Sequence, residues 1–304
     1  MKQNICKIIL FCIITIGCIR TIVVFELNDW PVGSSLGGLF AGLAIPIMIS
    51  SFGELTDNEN WKSSQRKLER VNLLKKTDKV RISFSYLFRI KVDGKYFLVK
   101  NNRGTGKYQP VGGVYKFNQE EAQYLRTKYY VEDDNLIPID ESSKNDYRLN
   151  LQDKYLRAFV RRFNKTKARE CISDLHREFK EELFDTGILD IGEFGSLKYT
   201  YCGRHITELK YSEHFQCYEL LLADIANVEL THNQEQQFRE LIAKSSDKYY
   251  FATDNEIKSL GVKTGSSNLQ EIIADHTTKI LQENAQYLTK NWSDKNNNEF
   301  EISL

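Results

Sequence analysis

Residues Ala168–Leu183 read ARECISDLHREFKEEL, and this stretch decides the fold. Ala168, Ile172, Leu175, Phe179 and Leu183 follow one another at steps of 4, 3, 4 and 4, the spacing of one buried helical stripe. Glu178, Glu181 and Glu182 are related by i, i+3 and i+4, so their carboxylates project from neighbouring turns on one side, and Arg177 is placed to pair with Glu181. Carboxylates this close repel one another unless a cation is present, and hard oxygen ligands suit Mg²⁺ bound together with phosphates. A solvated acidic helix face has the same spacing, and the segment alone does not separate the two readings.

Upstream, the period changes from helix to strand. Val80, Ile82, Phe84, Tyr86, Phe88, Ile90 and Val92 are apolar at every second position, which predicts a long half-buried strand. Asp93-Gly94 is a hairpin turn signal, followed by a strand at 95–100. A loop with Gly104 and Gly106 then leads to Tyr108-Gln109-Pro110-Val111-Gly112-Gly113. Residues 118–167 read as helical pieces and a polar loop, with a helix around 152–163. Downstream, 194–204 and 213–225 read as strands, Gln234–Ala243 and Leu269–Gln286 as helices, and 292–304 as a polar tail. Strands mixed with helices in this way predict an α+β or mixed-sheet sandwich.

The N-terminus is of another kind. Of 304 residues with 42 basic and 41 acidic side chains, residues 1–53 hold only Lys2, Lys7, Arg20, Glu26 and Asp29. The remainder is charge-balanced, which argues against a surface that tracks nucleic acid throughout, and a mean hydropathy of −0.46 excludes a many-pass membrane protein. The runs at 5–25 and 32–52 each have the length to cross a bilayer. Arg20 costs about 2.5–3.5 kcal/mol in a span, less than the roughly 4–8 kcal/mol that the apolar residues around it return. A transmembrane hairpin over 1–53 is therefore expected, followed by a basic juxtamembrane connector at 54–79. The acidic connecting loop and basic flanks predict a multi-pass protein of the inner membrane with both termini cytoplasmic. In the second span Gly33, Gly37 and Ala41, and likewise Gly38 and Gly42, recur every four positions. Such stripes let helices approach closely, either to self-associate or to pack the hairpin on itself. Six cysteines without metal-ligand spacing suit a reducing compartment.

Arg177-Glu178-Phe179-Lys180-Glu181-Glu182 resembles the R-E-U-x-E-E core of the Nudix box, where U is a bulky apolar residue. Pro110-Val111-Gly112-Gly113 resembles that family's P-x-G-G approach, and Tyr249–Ile257 its late F-x-x-x-E-U segment. A full box has Gly fourteen and Glu eight positions before the Arg, which here are Phe163 and Arg169. Gly113 lies 64 positions upstream, so about fifty residues are inserted inside the box. The Gly expected after the second Glu is Phe184. A transmembrane hairpin ahead of a diverged Nudix-like α/β/α sandwich, in an α+β chain with the domain at 80–291, resembles the CD-NTase-associated effectors of CBASS anti-phage systems, which carry a SMODS-associated NUDIX domain. The resemblance implies a partner CD-NTase, a cyclic oligonucleotide bound by the Nudix-like domain, and a homo-oligomeric hairpin that disrupts inner-membrane lipids in abortive infection. Arg103, Lys107, Tyr108, Arg177, Tyr201 and Arg204 are the candidate ligand-binding residues, and Glu178, Glu181 and Glu182 the candidate Mg²⁺ ligands. The broken box leans against catalysis. The alternatives are a membrane-tethered Nudix hydrolase cleaving a nucleoside diphosphate derivative with Mg²⁺, and an anchored interaction module.

Overall fold

A computed structural model describes residues 2–28, 42, 46, 61–101, 105–134, 143–244, 246–262, 270–289 and 298–304, with the backbone alone at 2–12 and 285–287. The chain divides into two compact units, Met1–Arg70 and Val71–Leu304. The first contains helices α1 (Lys2–Leu27) and α2 (Trp61–Arg70).

Here the membrane expectation is corrected. Among the described residues, no helix is long and apolar enough to cross a membrane. The second expected span, with Gly33, Gly37, Gly38 and Ala41, lies outside the described residues, and a Cβ added at Gly42 meets no described atom within 4 Å. The transmembrane hairpin in the expected fold and the multi-pass inner-membrane placement are therefore not supported. The chain is a mixed α/β protein.

The second unit opens with β1 (Lys79–Arg89), β2 (Lys91–Val92) and β3 (Lys95–Lys100). Asp93 (φ 46°) and Gly94 (φ 78°) form the expected turn, both residues left-handed as a tight hairpin requires. Next come β4 (Tyr108–Gln109), β5 (Gly112–Val114), α3 (Gln119–Tyr129), β6 (Glu132–Asp133), β7 (Arg148–Gln152) and α4 (Asp153–Phe163). The segment Arg177–Phe179 is α5 and runs directly into a π-helical turn, Lys180–Phe184. The chain closes with α6 (Ile191–Phe194), β8 (Ser196–Ile206), β9 (Lys210–Ser212), β10 (Cys217–Val228), α7 (His232–Ala243), β11 (Tyr249–Ala252), α8 (Asp254–Lys258) and β12 (Glu299–Ser303).

Two sheets form. The larger runs β12-β8-β10-β1-β7-β6, with β5 added to β1 and β9 to β10; the smaller runs β11-β3-β2, with β4 on β3. At its centre β1 and β10 pair in parallel over ten positions, Val80↔Tyr218 through Arg89↔Asn227. The alternation of β1 sorts its side chains onto two faces. Phe84 stacks on Phe163 of α4 at 3.7 Å, and Phe88 meets Phe179 of α5 at 5.4 Å. On the other face Leu87, Ala223 and Ile225 form one cluster with Tyr96, Leu98 and Ala252 of the smaller sheet.

Three elements differ from the sequence reading. Residues 272–274 pair with Tyr108, so the helix expected over 269–286 is replaced by 3-10 turns at Asp275–Ile280 and Gln282–Tyr287. The tail is not all loop, since β12 pairs with β8 and Phe300 packs on Tyr199. The insertion supplies β7, which pairs with the first half of β1. Its helices are fastened by the buried Glu121, which accepts hydrogen bonds from Arg162 Nε (3.0 Å), Arg162 Nη2 (2.5 Å) and Thr166 (2.9 Å). The insertion is therefore part of the core. Phe163→Ala is expected to cost about 3–5 kcal/mol, read by urea denaturation of the full chain; a loss below about 1 kcal/mol would mark the insertion as a peripheral decoration.

Candidate functional site

The segment Ala168–Leu183 is helical only in its second half. Its first residues pair with the strand-like stretch 116–118 instead. Phe117 and Arg169 form an antiparallel bridge, Glu170 N–H donates to Lys116 O (2.9 Å), and Asn118 N–H donates to Ala168 O (3.1 Å). The fifty-residue excursion thus leaves and returns at one point. With residues 118–168 set aside, Gly113 stands six positions before Glu170, the separation a Nudix box requires between its Gly and its early Glu. From Glu170 to Arg177 the spacing is seven rather than eight, one residue short. Glu170 is the carboxylate near the early-Glu position that linear counting missed, and the pairing of the excursion's two ends is the signal that finds it.

Contacts bear this out. Arg177 Nε donates to Glu170 Oε1 (2.6 Å), Nη1 to Glu178 Oε1 (2.6 Å), and Nη2 to Val114 O (2.9 Å). Glu181 Oε1 lies 3.7 Å from the same guanidinium. Burial works against the charge on Arg177, but the Glu170 hydrogen bond and the surrounding carboxylates hold its pKa well above the ordinary arginine value. Close by, burial first and Glu170 second push the Tyr86 phenol well up. The cation demanded by the clustered glutamates is thus already supplied by the chain.

Two glycines let β5 lie close to β1 on one side and to the box helix on the other. Gly112 has φ 149°, and a Cβ there would lie 2.2 Å from Tyr86 O; at Gly113 a Cβ would lie 2.0 Å from Glu178 Oε1. Gly112 N–H donates to Glu182 Oε2 (2.9 Å), so the two outer glutamates of the box close over this strand. The π-helical turn between them widens the step from Glu178 to Glu182, a distortion frequent at functional sites. Donor chemistry here suits Mg²⁺, yet among the described residues no three His, Cys, Asp or Glu side chains are arranged to hold a metal. As placed, Glu170 and Glu178 are hydrogen-bonded to Arg177 and Glu182 to Gly112 N–H, while Glu181 stands apart and 39% exposed, so the carboxylates do not converge on one point and this arrangement does not fit the ion.

A family profile described as the SMODS-associated NUDIX domain matches residues 79–281, about two thirds of the chain. The chain belongs to that family. Membership fits a CBASS-type effector of antiviral defence. No curated protein matches the chain, and neither does any solved structure.

Within the NUDIX domain the other candidate ligand residues fall in two further places. Arg204 and Tyr201 are buried and meet on Asp224: Arg204 Nε and Nη2 donate to its two oxygens (2.8 and 2.7 Å), joined by the hydroxyls of Tyr201 (3.0 Å) and Tyr115 (2.8 Å). Burial opposes the Arg204 charge, and Asp224 more than restores it. Lys107 and Tyr108 lie with the smaller sheet, where Lys107 pairs with Glu271 (2.6 Å) and the Tyr108 ring packs 5.4 Å from Tyr250. Arg103 lies outside the described residues. The late Glu256 caps α8 and accepts from Tyr250 (2.6 Å), whose pKa burial and that bond push up to about 12. Asp224→Ala is expected to cost about 3–5 kcal/mol, because it strands a buried guanidinium, and Arg177→Met about 3 kcal/mol for the same reason in mirror image. Chemical denaturation reads both, and wild-type stability in either variant would show that the pair contributes nothing.

Proposed function

We propose that this chain is the sensing part of a CBASS-type effector, in which the NUDIX domain binds a cyclic oligonucleotide made by a partner CD-NTase and does not hydrolyse it. The single observation that carries the non-hydrolytic reading is the closure of Glu170, Glu178 and Glu181 on Arg177. A carboxylate already paired with a half-buried guanidinium has less to offer a metal-bound diphosphate, and opening the cluster would give up those charge-assisted hydrogen bonds. Family membership supports the nucleotide ligand and the defence setting. Binding becomes a signal when the ligand prefers one conformation or assembly over another, and we propose self-association of the domain as that response.

One observation favours the second reading, a Nudix hydrolase acting on a nucleoside diphosphate derivative with Mg²⁺. Glu170 restores the early carboxylate that the broken spacing had seemed to remove. Calorimetric titration of the full chain with cyclic di- and trinucleotides, followed by recovery of the ligand, separates the two. Micromolar or tighter binding, an increase in mass by light scattering, and intact ligand after incubation with Mg²⁺ are expected. Mg²⁺-dependent cleavage of a nucleoside diphosphate derivative that disappears in both Glu181→Gln and Glu182→Gln would replace the sensor with the hydrolase.

A further inference from the structure

At the edge of the larger sheet the insertion leaves an open groove of about 410 Å³ between the start of β1, β6, β7 and the first turn of α4. Such a volume suits a nucleotide-sized ligand. The groove carries three features that the core does not need. Tyr130 ends α3 in the left-handed conformation (φ 51°, ψ 44°) with 65% of its surface exposed. A bulky residue adopts that conformation at a cost of about 1 kcal/mol or more, and a ring this exposed recovers little of it through burial. The Tyr155 ring stands 5.8 Å away, tilted by 36°, so the two present a stacking surface at the groove.

The second feature is a pair of amides. Asn150 and Gln152 lie two positions apart on β7 and therefore face the same side of the strand. Both line the groove, and neither side chain has a hydrogen-bond partner among the described residues. Half-buried amides left without partners are what a base edge, with its mixed donors and acceptors, would satisfy.

The third feature is charge. Lys154 reaches the groove and lies 4.9 Å over the Tyr155 ring. Behind it, Arg157, Arg161 and Lys165 follow at steps of 3, 4 and 4, all exposed, as one basic stripe running along α4 and past its end. The groove's own carboxylate, Glu132, is paired with Lys79. Aromatic rings flanked by a track of cations are the means by which proteins hold bases and phosphates of unpaired nucleotides together.

We propose that this groove binds one nucleotide of a phosphodiester-linked ligand, with the base on Tyr130 and Tyr155, its edge read by Asn150 and Gln152, and its phosphates on Lys154 and the α4 stripe. The assignment deepens the sensor reading and rests on it only for the ligand being cyclic, since a linear single strand offers the same chemistry. The test uses the full chain and measures binding of cyclic di- and trinucleotides, of a linear single-stranded oligonucleotide, and of inorganic phosphate as a control, for wild type and for Tyr130→Ala, Tyr130→Phe and Lys154→Glu. Thermal melts establish that these surface variants fold.

The expected result is binding weakened about tenfold or more by Tyr130→Ala and by Lys154→Glu, and kept by Tyr130→Phe. Cyclic ligand bound equally well by Tyr130→Ala and Lys154→Glu would overturn the groove assignment and leave the sensor standing. Binding of the linear strand alone, lost in those same variants, would uphold the groove and end the sensor reading. No binding of any phosphodiester probe by wild type, or phosphate binding that both variants keep, would overturn the assignment.

Discussion

The parallel ladder between β1 and β10 is the constraint from which the rest of the domain follows. Parallel neighbours cannot be joined by a tight turn, so everything between Arg89 and Cys217 has to form a long crossover. That crossover contains the smaller sheet's hairpin, the glycine strand, the insertion and the box helix. Because the ladder is ten pairs long and unslipped, the two faces of β1 have fixed duties. Phe84 and Phe88 point to the helices of the insertion and of the box. Leu87, one residue before Phe88, points to the smaller sheet. A slip of one position would exchange these duties and lose both cores.

Charges inside this frame come in compensated sets. Arg177 is surrounded by Glu170, Glu178 and Glu181, and Asp224 is held by Arg204 and two tyrosines. An isolated ion in either place would be too costly to bury, so each set specifies one arrangement of the strands and helices that carry it. Three of the residues chosen from sequence as ligand candidates, Arg177, Tyr201 and Arg204, have carboxylate partners in these sets. Arginine and tyrosine at a strand end suggest a binding surface only until the partner carboxylate is known. Asp224, opposite Arg204 across a bulged antiparallel pair, carried no sign of that pairing in its local sequence.

Much of the domain was legible because it obeys short-range rules. The alternation of β1, the Asp93-Gly94 turn and the amphipathic α4 announce themselves within ten residues. What escaped depends on contacts between distant segments. Ala168–Glu170 has the spacing of a helix, yet it pairs with 116–118 because the excursion must close there. Strands of two residues such as β6 are too short to show any period. Ile272 and Ile273 looked helical in isolation, whereas their backbone is claimed by Tyr108 and Leu260.

The excursion that breaks the box in sequence completes it in space, and this gives the insertion a mechanical position as well as a structural one. Helix α4 carries Lys154 and Tyr155 in its first turn and Phe163 at its end. The Arg169 guanidinium lies 3.8 Å over the Phe163 ring and its Nε donates to Phe163 O (3.0 Å). The next residue, Glu170, grips Arg177, and Arg177 fixes Glu178. Three consecutive contacts therefore connect α4 with the glutamates of the box. Such a route carries a signal only if α4 has two stable positions that ligand distinguishes. Helix α4 is held to α3 by the Glu121 carboxylate, by Tyr129 packing on Tyr155 and Phe159 and by Arg162 over the Tyr124 ring, and to β1 by stacked aromatic rings. An insertion grown at a loop far from the box would have no such leverage over it.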